Sequence, residues 1–456
     1  MYDVAIIGAG VVGCALARHL ARFRLHCALV ERANDVGTGT SKANTAILHT
    51  GFDTEPGTLE SALVRRGHQL LGMHAHRAGI ALERVGALLV AWTPPQADEL
   101  DSIVDKARRN RCRGARRVAE DELYRREPHL GPGALGAVEI PDESIICPWS
   151  TTIAFALEAV GAGVDLRLGT TVTGVRPGGD HWELLTGTEV IRAQWVVNAA
   201  GLAGDLVDRW FGHGDFSITP RKGQLIVFDK LARPLLHSIL LPVPTPRSKG
   251  VLVAPTVYGN LLLGPTAEDQ DDRTDVATTG DGLASLLAAA QRILPAVAAE
   301  EVTATYAGLR AATEHRDYQI SVHPEQRYAC IGGIRSTGLS SSMAIAEHVT
   351  EQLGAAGLSL EDRDEEPAVP RVPPLGESRP RPYQQPELVA ADPAYGHILC
   401  FCERVSEGEI RDALAGPLPA RDLGGIRRRT RATNGRCQAF YCGASVAALL
   451  RGEVGS

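Results

Sequence analysis

The chain has 456 residues, of which 44% are apolar and 22% charged, and its formal net charge is −7. That balance leaves no basic footprint, so no nucleic acid is expected as a partner, and no stretch approaches the roughly 20 apolar residues that span a bilayer. Met1 runs directly into Val4-Ala5-Ile6-Ile7 with no basic n-region or cleavage site; the expectation is no signal peptide and a cytoplasmic protein, peripheral to the inner membrane only through a partner.

In chain order, apolar periodicity predicts a buried strand over 2–7, a helix over 11–24 and a second strand over 25–31. A longer amphipathic helix follows over 58–79, then a strand over 86–91 and shorter helices over 98–110 and 119–126. Strand-like runs recur at 164–176, 182–185, 190–198, 224–228, 251–254 and 260–264, with helices over 282–299 and 341–354. This alternation indicates an α/β class. No internal repeat is visible.

Gly8-Ala9-Gly10-Val11-Val12-Gly13 lies between the first strand and the first helix. Gly8 permits a tight turn, Gly10 lets the backbone approach a pyrophosphate, and Gly13 lets helix pack closely on strand. The helix start supplies N–H groups and a positive dipole end, and Glu31 closes the second strand, where its carboxylate can bind a ribose. The motif sits at the extreme N-terminus and is followed by Gly37-Thr38-Gly39-Thr40-Ser41-Lys42-Ala43-Asn44-Thr45, a loop suited to a long cofactor. Two further strand–turn pieces follow, Trp195 to Gly201 and Ala329 to Ser340.

These three pieces resemble the D-amino-acid-oxidase-like FAD superfamily. Ser41, the run Asn44 to Gly51, Pro56-Gly57-Thr58-Leu59 and Gly333-Ile334-Arg335-Ser336-Thr337-Gly338-Leu339 resemble the branch of L-2-hydroxyglutarate and anaerobic glycerol-3-phosphate dehydrogenases. The resemblance implies a discontinuous Rossmann-like FAD domain (1–85, 146–215 and 305–358) and an antiparallel α+β substrate cap (86–145 and 216–304). It implies FAD contacts from the glycine turn (Gly8, Gly10, Val11, Val12, Gly13), from Glu31 and Arg32, and from Ser41, Asn44 and Thr45. Later contacts would come from Val172, Ala200 and Gly201, then Gly332, Gly338, Leu339 and Ser340.

A flavin takes hydride at N5, so the protein must orient the substrate C–H and remove the hydroxyl proton. His49 is the candidate base, against a structural or flavin-orienting role. Arg310 and Arg335 are candidates to clamp a carboxylate or phosphate, against ordinary ion pairs. Lys222 is a further candidate, against a solvated loop lysine; Tyr258 and His315 carry less signal. His68, His74 and His76 are expected at the surface. The expected activity is oxidation of a small anionic secondary alcohol, glycerol 3-phosphate or a 2-hydroxy acid. The alternatives are an amine or imino-acid dehydrogenase of the same superfamily, or a non-catalytic electron-transfer subunit.

Near residue 359 the composition turns acidic and proline-rich, and 359–394 reads as an extended linker too polar to pack. Apolar periodicity returns over 395–456, a small helical domain. Of nine cysteines, Cys14, Cys27, Cys112, Cys147 and Cys330 are scattered and expected to be small buried groups. Cys400, Cys402, Cys437 and Cys442 cluster near the end. Four thiolates suit a [2Fe–2S] cluster and match no common zinc spacing, although zinc and unligated or disulfide-bonded cysteines stay open. The surrounding residues resemble the bacterioferritin-associated-ferredoxin-like domain, which implies a [2Fe–2S] cluster on those four cysteines. An electron-acceptor protein or quinone-linked subunit is the expected partner. Arg427-Arg428-Arg429-Thr430-Arg431 is expected either as a solvated face or as an offset to the cluster's charge.

Overall fold

A computed structural model describes residues 1–244 and 250–453. Its first sheet is built on the parallel strands Cys27–Val30, Tyr2–Ile7 and Val190–Asn198, with Asp165–Arg167 at one edge and Tyr328–Gly332 parallel to the end of Val190–Asn198. The strands at its centre are apolar on both faces because both are covered. Helices Val11–Leu20, Leu59–Ala78, Pro148–Gly161 and Gly338–Ala355 pack in one core with that sheet. On the other face lie Val207, Phe211, Phe216 and Tyr328.

The second sheet joins two separated stretches of chain. Ala87–Ala91 pairs parallel with Ile239–Pro242, and every other ladder in this sheet is antiparallel. Its longest ladder runs between Thr219–Phe228 and Val302–Ala312. Helix Gly280–Ile293 closes a separate core with Leu286, Phe228, Ile226 and Leu88. The predicted helix 282–299 therefore stops early: Leu294 leaves helical geometry and Pro295 opens a short 3₁₀ turn. The predicted strand 164–176 is likewise two strands, broken at Gly169, whose φ is +68°.

The segment 359–394 is not an unpacked linker. Asp362 bridges to Phe23, the Val372 N–H donates to the Ala78 carbonyl at 2.8 Å, and the Glu377 N–H donates to Val257 at 3.0 Å. Val372 and Leu375 are buried in the main core, and Pro386–Ala391 is a short helix. Prolines remove N–H donors and stiffen the chain; they do not keep Val372 and Leu375 out of an apolar groove. The segment is a strap along the body.

The last unit packs helices Glu407–Leu414, Leu423–Thr430 and Gly443–Leu450 around eight buried residues, two of which are Cys400 and Cys442. A core that small holds itself together poorly without a staple or a docking surface. Docking is present. Asp35 is 1% exposed and receives Arg428 at 2.5 Å and Arg429 at 2.8 Å; Arg436 reaches Asp229 at 2.7 Å. The arginine run is thus not a solvated face: Arg428, Arg429 and Arg431 are buried in ion pairs with carboxylates, and Arg427 lies within electrostatic reach of Cys442.

Candidate active site and cysteine centre

The glycine turn has the shape of a pyrophosphate cradle. Gly8 has φ +106°, and a Cβ there would lie 2.5 Å from the Ala199 carbonyl oxygen. A Cβ on Gly13 would lie 1.9 Å from the Gly8 oxygen, so only glycine lets this helix sit on its strand. The N-cap residue of Val11–Leu20 is Gly10, which offers no side chain to the first turn, and the Val11 N–H donates to Ser41 Oγ at 2.9 Å. Glu31 accepts from the N–H groups of Ala9 (2.8 Å) and Ala33 (3.0 Å), which braces the turn. Ala200 adjoins Gly8, Gly201 opens the short 3₁₀ turn that follows, Val172 lies in the neighbouring meander, and Arg32 is exposed. Helix Gly338–Ala355 also starts without a side-chain cap, and its Gly338 faces Val12. A cradle that a Cβ would fill, with two helix starts converging on it, fits FAD.

His49 follows the short strand Ile47–Leu48, which pairs antiparallel with Ser144–Ile146. That ladder brings Glu143 beside it: His49 Nδ1 lies 3.1 Å from Glu143 Oε2, and the Glu143 side chain is 0% exposed. The other carboxylate oxygen accepts from the Thr50 N–H (2.7 Å) and hydroxyl (2.8 Å), which fixes the acid. The His49 N–H donates to Ser340 Oγ at 2.8 Å, tying the loop to the start of the second helix. Asn44 stabilises the preceding turn by accepting from Ala46, whose φ is +56°. Its carbonyl receives the Tyr306 hydroxyl at 2.7 Å, and Thr45 lies within the same turn. Glu143, Tyr306 and Asp35 carry no local sequence signal, because each meets a partner far away in the chain.

The three candidate cations separate. Arg310 stands on Val302–Ala312, which leans on the flavin-side loop: Thr40 Oγ1 donates to the Leu309 carbonyl at 2.8 Å, and a Cβ on Gly308 would lie 2.1 Å from the Ala43 oxygen. Burial, with Arg221 beside it, pulls the Arg310 guanidinium below its ordinary pKa, and no ion pair to a carboxylate forms among the described residues. Arg335 is occupied, donating to the Arg316 carbonyl and lying 3.6 Å from Glu60. Lys222 is a buried strand residue, not a solvated loop lysine, and its Nζ is held at 2.5 Å from Asp275 and 3.2 Å from the Ala277 carbonyl. The expectation for His74 also fails: it is 3% exposed and 2.8 Å from Glu158. Gly67 on the same helix shows why that face is covered, since a Cβ there would meet Ser340 O at 2.2 Å.

The scattered cysteines Cys14, Cys27, Cys112, Cys147 and Cys330 are all buried and free. The terminal four form two neighbouring pairs, Cys402 with Cys437 and Cys400 with Cys442. The Tyr441 N–H, with help from Cys402 and the N–H groups of Ala439 and Phe440, holds the Cys437 thiol below its ordinary pKa. Gln438 (φ +47°) and Ala439 (φ +73°) turn those amides toward sulfur, the concave arrangement that stabilises anionic centres. Burial pushes Cys442 up to about 12. Gly435 is needed for the approach, since a Cβ there would lie 2.2 Å from Cys402 Cβ. Among the described residues no group of three or more His, Cys, Asp or Glu is arranged to hold a single metal ion. Two thiol pairs with amides aimed at sulfur fit a two-iron cluster.

Fold and sites together define a flavin-dependent redox enzyme with an appended iron–sulfur unit. Residues 3–352 match the FAD dependent oxidoreductase family, and the chain belongs to that family. Residues 398–451 match the BFD-like [2Fe-2S] binding domain; the cofactors are FAD and a [2Fe–2S] cluster. A glycerol 3-phosphate dehydrogenase of Caloramator mitchellensis is 34% identical over 100% of this chain and 95% of its own length. One subunit of the anaerobic glycerol-3-phosphate dehydrogenase of Escherichia coli is 28% identical over 98% of this chain and 88% of its own length. The structure of L-α-glycerophosphate oxidase from Mycoplasma pneumoniae with FAD bound superposes with a TM-score of 0.77, at 26% identity, covering 82% of this chain and 99% of that one. No described helix is long and apolar enough to cross a membrane.

Proposed function

We propose that this enzyme oxidises glycerol 3-phosphate at its secondary hydroxyl and delivers the electrons, one at a time, to a protein acceptor. Oxidation of a CH–OH donor is supported by the dehydrogenase and oxidase relatives. The observation that carries the anionic substrate is Arg310, a half-buried guanidinium beside Arg221 with no carboxylate ion pair among the described residues. Such a cation calls for an anion, and a phosphate matches its planar donor fork. Bound FAD supplies the hydride acceptor, and the cluster supplies a one-electron carrier.

This chain's own residues do the rest. His49 takes the hydroxyl proton at Nε2, while Glu143, buried and held by Thr50, orients the imidazole through Nδ1 and stabilises the charge that forms. Arg310 would hold the phosphate, and the uncapped start of helix Gly338–Ala355 would offer its positive end to negative charge on bound FAD. The Escherichia coli relative is one subunit of its enzyme, which supports a multi-protein path for the electrons. At the cysteine unit, Phe401, Phe440 and Tyr441 are 73%, 83% and 73% exposed between the ligands. Exposed aromatics of this kind suit a protein interface.

The test is anaerobic bleaching of the flavin band by glycerol 3-phosphate, L-2-hydroxyglutarate and proline in parallel. Fast bleaching by glycerol 3-phosphate is expected. Bleaching by the hydroxy acid or by proline, with none by glycerol 3-phosphate, would overturn the assignment.

A further inference from the structure

The body and the cysteine unit meet along one continuous series of contacts that starts at the flavin-side loop. The Trp149 indole N–H donates to the carbonyl of Lys42 at 3.1 Å; Lys42 is the neighbour of Ser41, whose hydroxyl takes the Val11 N–H. Trp149 stacks on Tyr258, with ring centroids 5.5 Å apart and planes 26° apart. The Tyr258 hydroxyl lies 2.9 Å from Cys147 Sγ, so the ring is held from behind. The Arg431 guanidinium covers the other part of the ring at 4.0 Å, and its Nε donates to Glu403 at 2.7 Å. Glu403 is the residue after the ligand Cys402.

Three members of this seam are costly to place. Arg431 is 4% exposed, Glu403 4% and Tyr258 7%. Arg431 also has φ +70° at the end of its helix, a conformation that L residues rarely adopt. A buried, hydrogen-bonded ion pair lying on an aromatic face contributes position more than stability. The unit is already fastened elsewhere, by Arg428 and Arg429 on Asp35 and by Arg436 on Asp229. What Arg431 and Glu403 add is a fixed distance between the turn that carries Cys402 and the loop that carries Ser41.

We propose that Arg431 and Tyr258 are positioning residues for electron transfer, locking the turn that carries Cys402 against the flavin-side loop and so setting the rate at which electrons cross. The inference rests on the presence of both centres, not on the identity of the alcohol. Each crossing moves one electron. Over two crossings a flavin reduced by one hydride would give up two electrons and a single proton, and the cluster held by the four cysteines would accept the electrons one at a time. A one-electron acceptor protein then empties the cluster for the second electron.

The experiment uses the full chain loaded with FAD and cluster. Flavin is reduced by a light flash with deazaflavin, so glycerol 3-phosphate plays no part. Flavin absorbance and the freeze-quenched EPR signal of the reduced cluster are followed, with iron content measured beforehand. Arg431→Leu and Tyr258→Leu are each expected to slow the appearance of the cluster signal by about 10- to 100-fold, the scale on which small misplacements act. Tyr258→Phe keeps the ring and is expected to match the wild type. Arg431→Lys keeps the charge for Glu403 but not the planar stack, and is expected to fall between. If Arg431→Leu fails to retain iron, Tyr258→Leu decides, because Tyr258 lies on the body and holds no ligand loop. Wild-type transfer rates in Tyr258→Leu with full iron content would overturn the proposal. Separately, failure of glycerol 3-phosphate to bleach the flavin would bear only on the substrate.

Discussion

At the scale of residues, the proposed mechanism divides the labour between a proton-accepting pair, His49 with Glu143, and the cation Arg310. His49 and Glu143 are 3.1 Å apart. Replacing His49 by Asn keeps some hydrogen bonding and removes the base, so flavin reduction in stopped flow should slow by about 10²–10⁴-fold, with little change in substrate affinity. Arg310 should behave in the opposite way. Arg310→Gln should weaken glycerol 3-phosphate binding by about 2 kcal/mol or more, since one partner of a desolvated charge pair is lost. Titrating the flavin spectrum with substrate measures this. A His49→Asn enzyme with normal reduction kinetics would transfer the base role elsewhere, but not to Lys222, which Asp275 already occupies at 2.5 Å.

At the scale of elements, helix Val11–Leu20 carries two separable requirements. Its start needs Gly13, because a Cβ would lie 1.9 Å from the Gly8 oxygen. Gly13→Ala should therefore push helix from strand, and the protein should purify with little flavin, as read from the flavin's visible absorbance per chain. Its last turn carries His19, which burial, aided by Arg22, lowers from 6.5 to about 4. The unfolded chain takes up a proton below pH 6.5 that the folded helix does not accept until about pH 4. Stability from this group is thus complete above 6.5 and declines as pH falls from 6.5 to 4. The loss is about 3 kcal/mol at most. Urea unfolding at several pH values should show His19→Gln with a flatter decline across that window.

At the scale of the whole molecule, three units are joined by a strap and by buried ion pairs. A chain cut after Glu377 keeps Val372 and Leu375 in the core and frees the cysteine unit. It should retain FAD and be reduced by substrate, yet pass no electrons to an acceptor protein. A cut before residue 362 also removes both apolar anchors and the Val372 backbone bond to Ala78. The shorter body should melt several degrees lower, since two lost side chains of this kind contribute about 1.5–3 kcal/mol each. Equal melting temperatures for the two truncations would show that the strap adds nothing to the body.

The FAD cradle and the cysteine centre were legible because their information is local. Gly8, Gly10 and Gly13 encode one turn within six residues, and the four thiols fall into two short motifs, Cys400–Cys402 and Cys437–Cys442. His49 could be singled out from its motif, but not Glu143, which reaches it through a ladder between distant short strands. Arg427 to Arg431 reads the same whether solvated or buried; the arrival of Asp35 and Glu403 decides it. The proline-rich strap misled for the opposite reason. Its composition is that of an extended chain, and an extended chain can still lay Val372 and Leu375 into a groove made by other elements. Backbone geometry is set by neighbours along the chain, so sequence carries it. The partner of a buried charge or an apolar anchor is set by packing between elements, and only the tertiary structure supplies that.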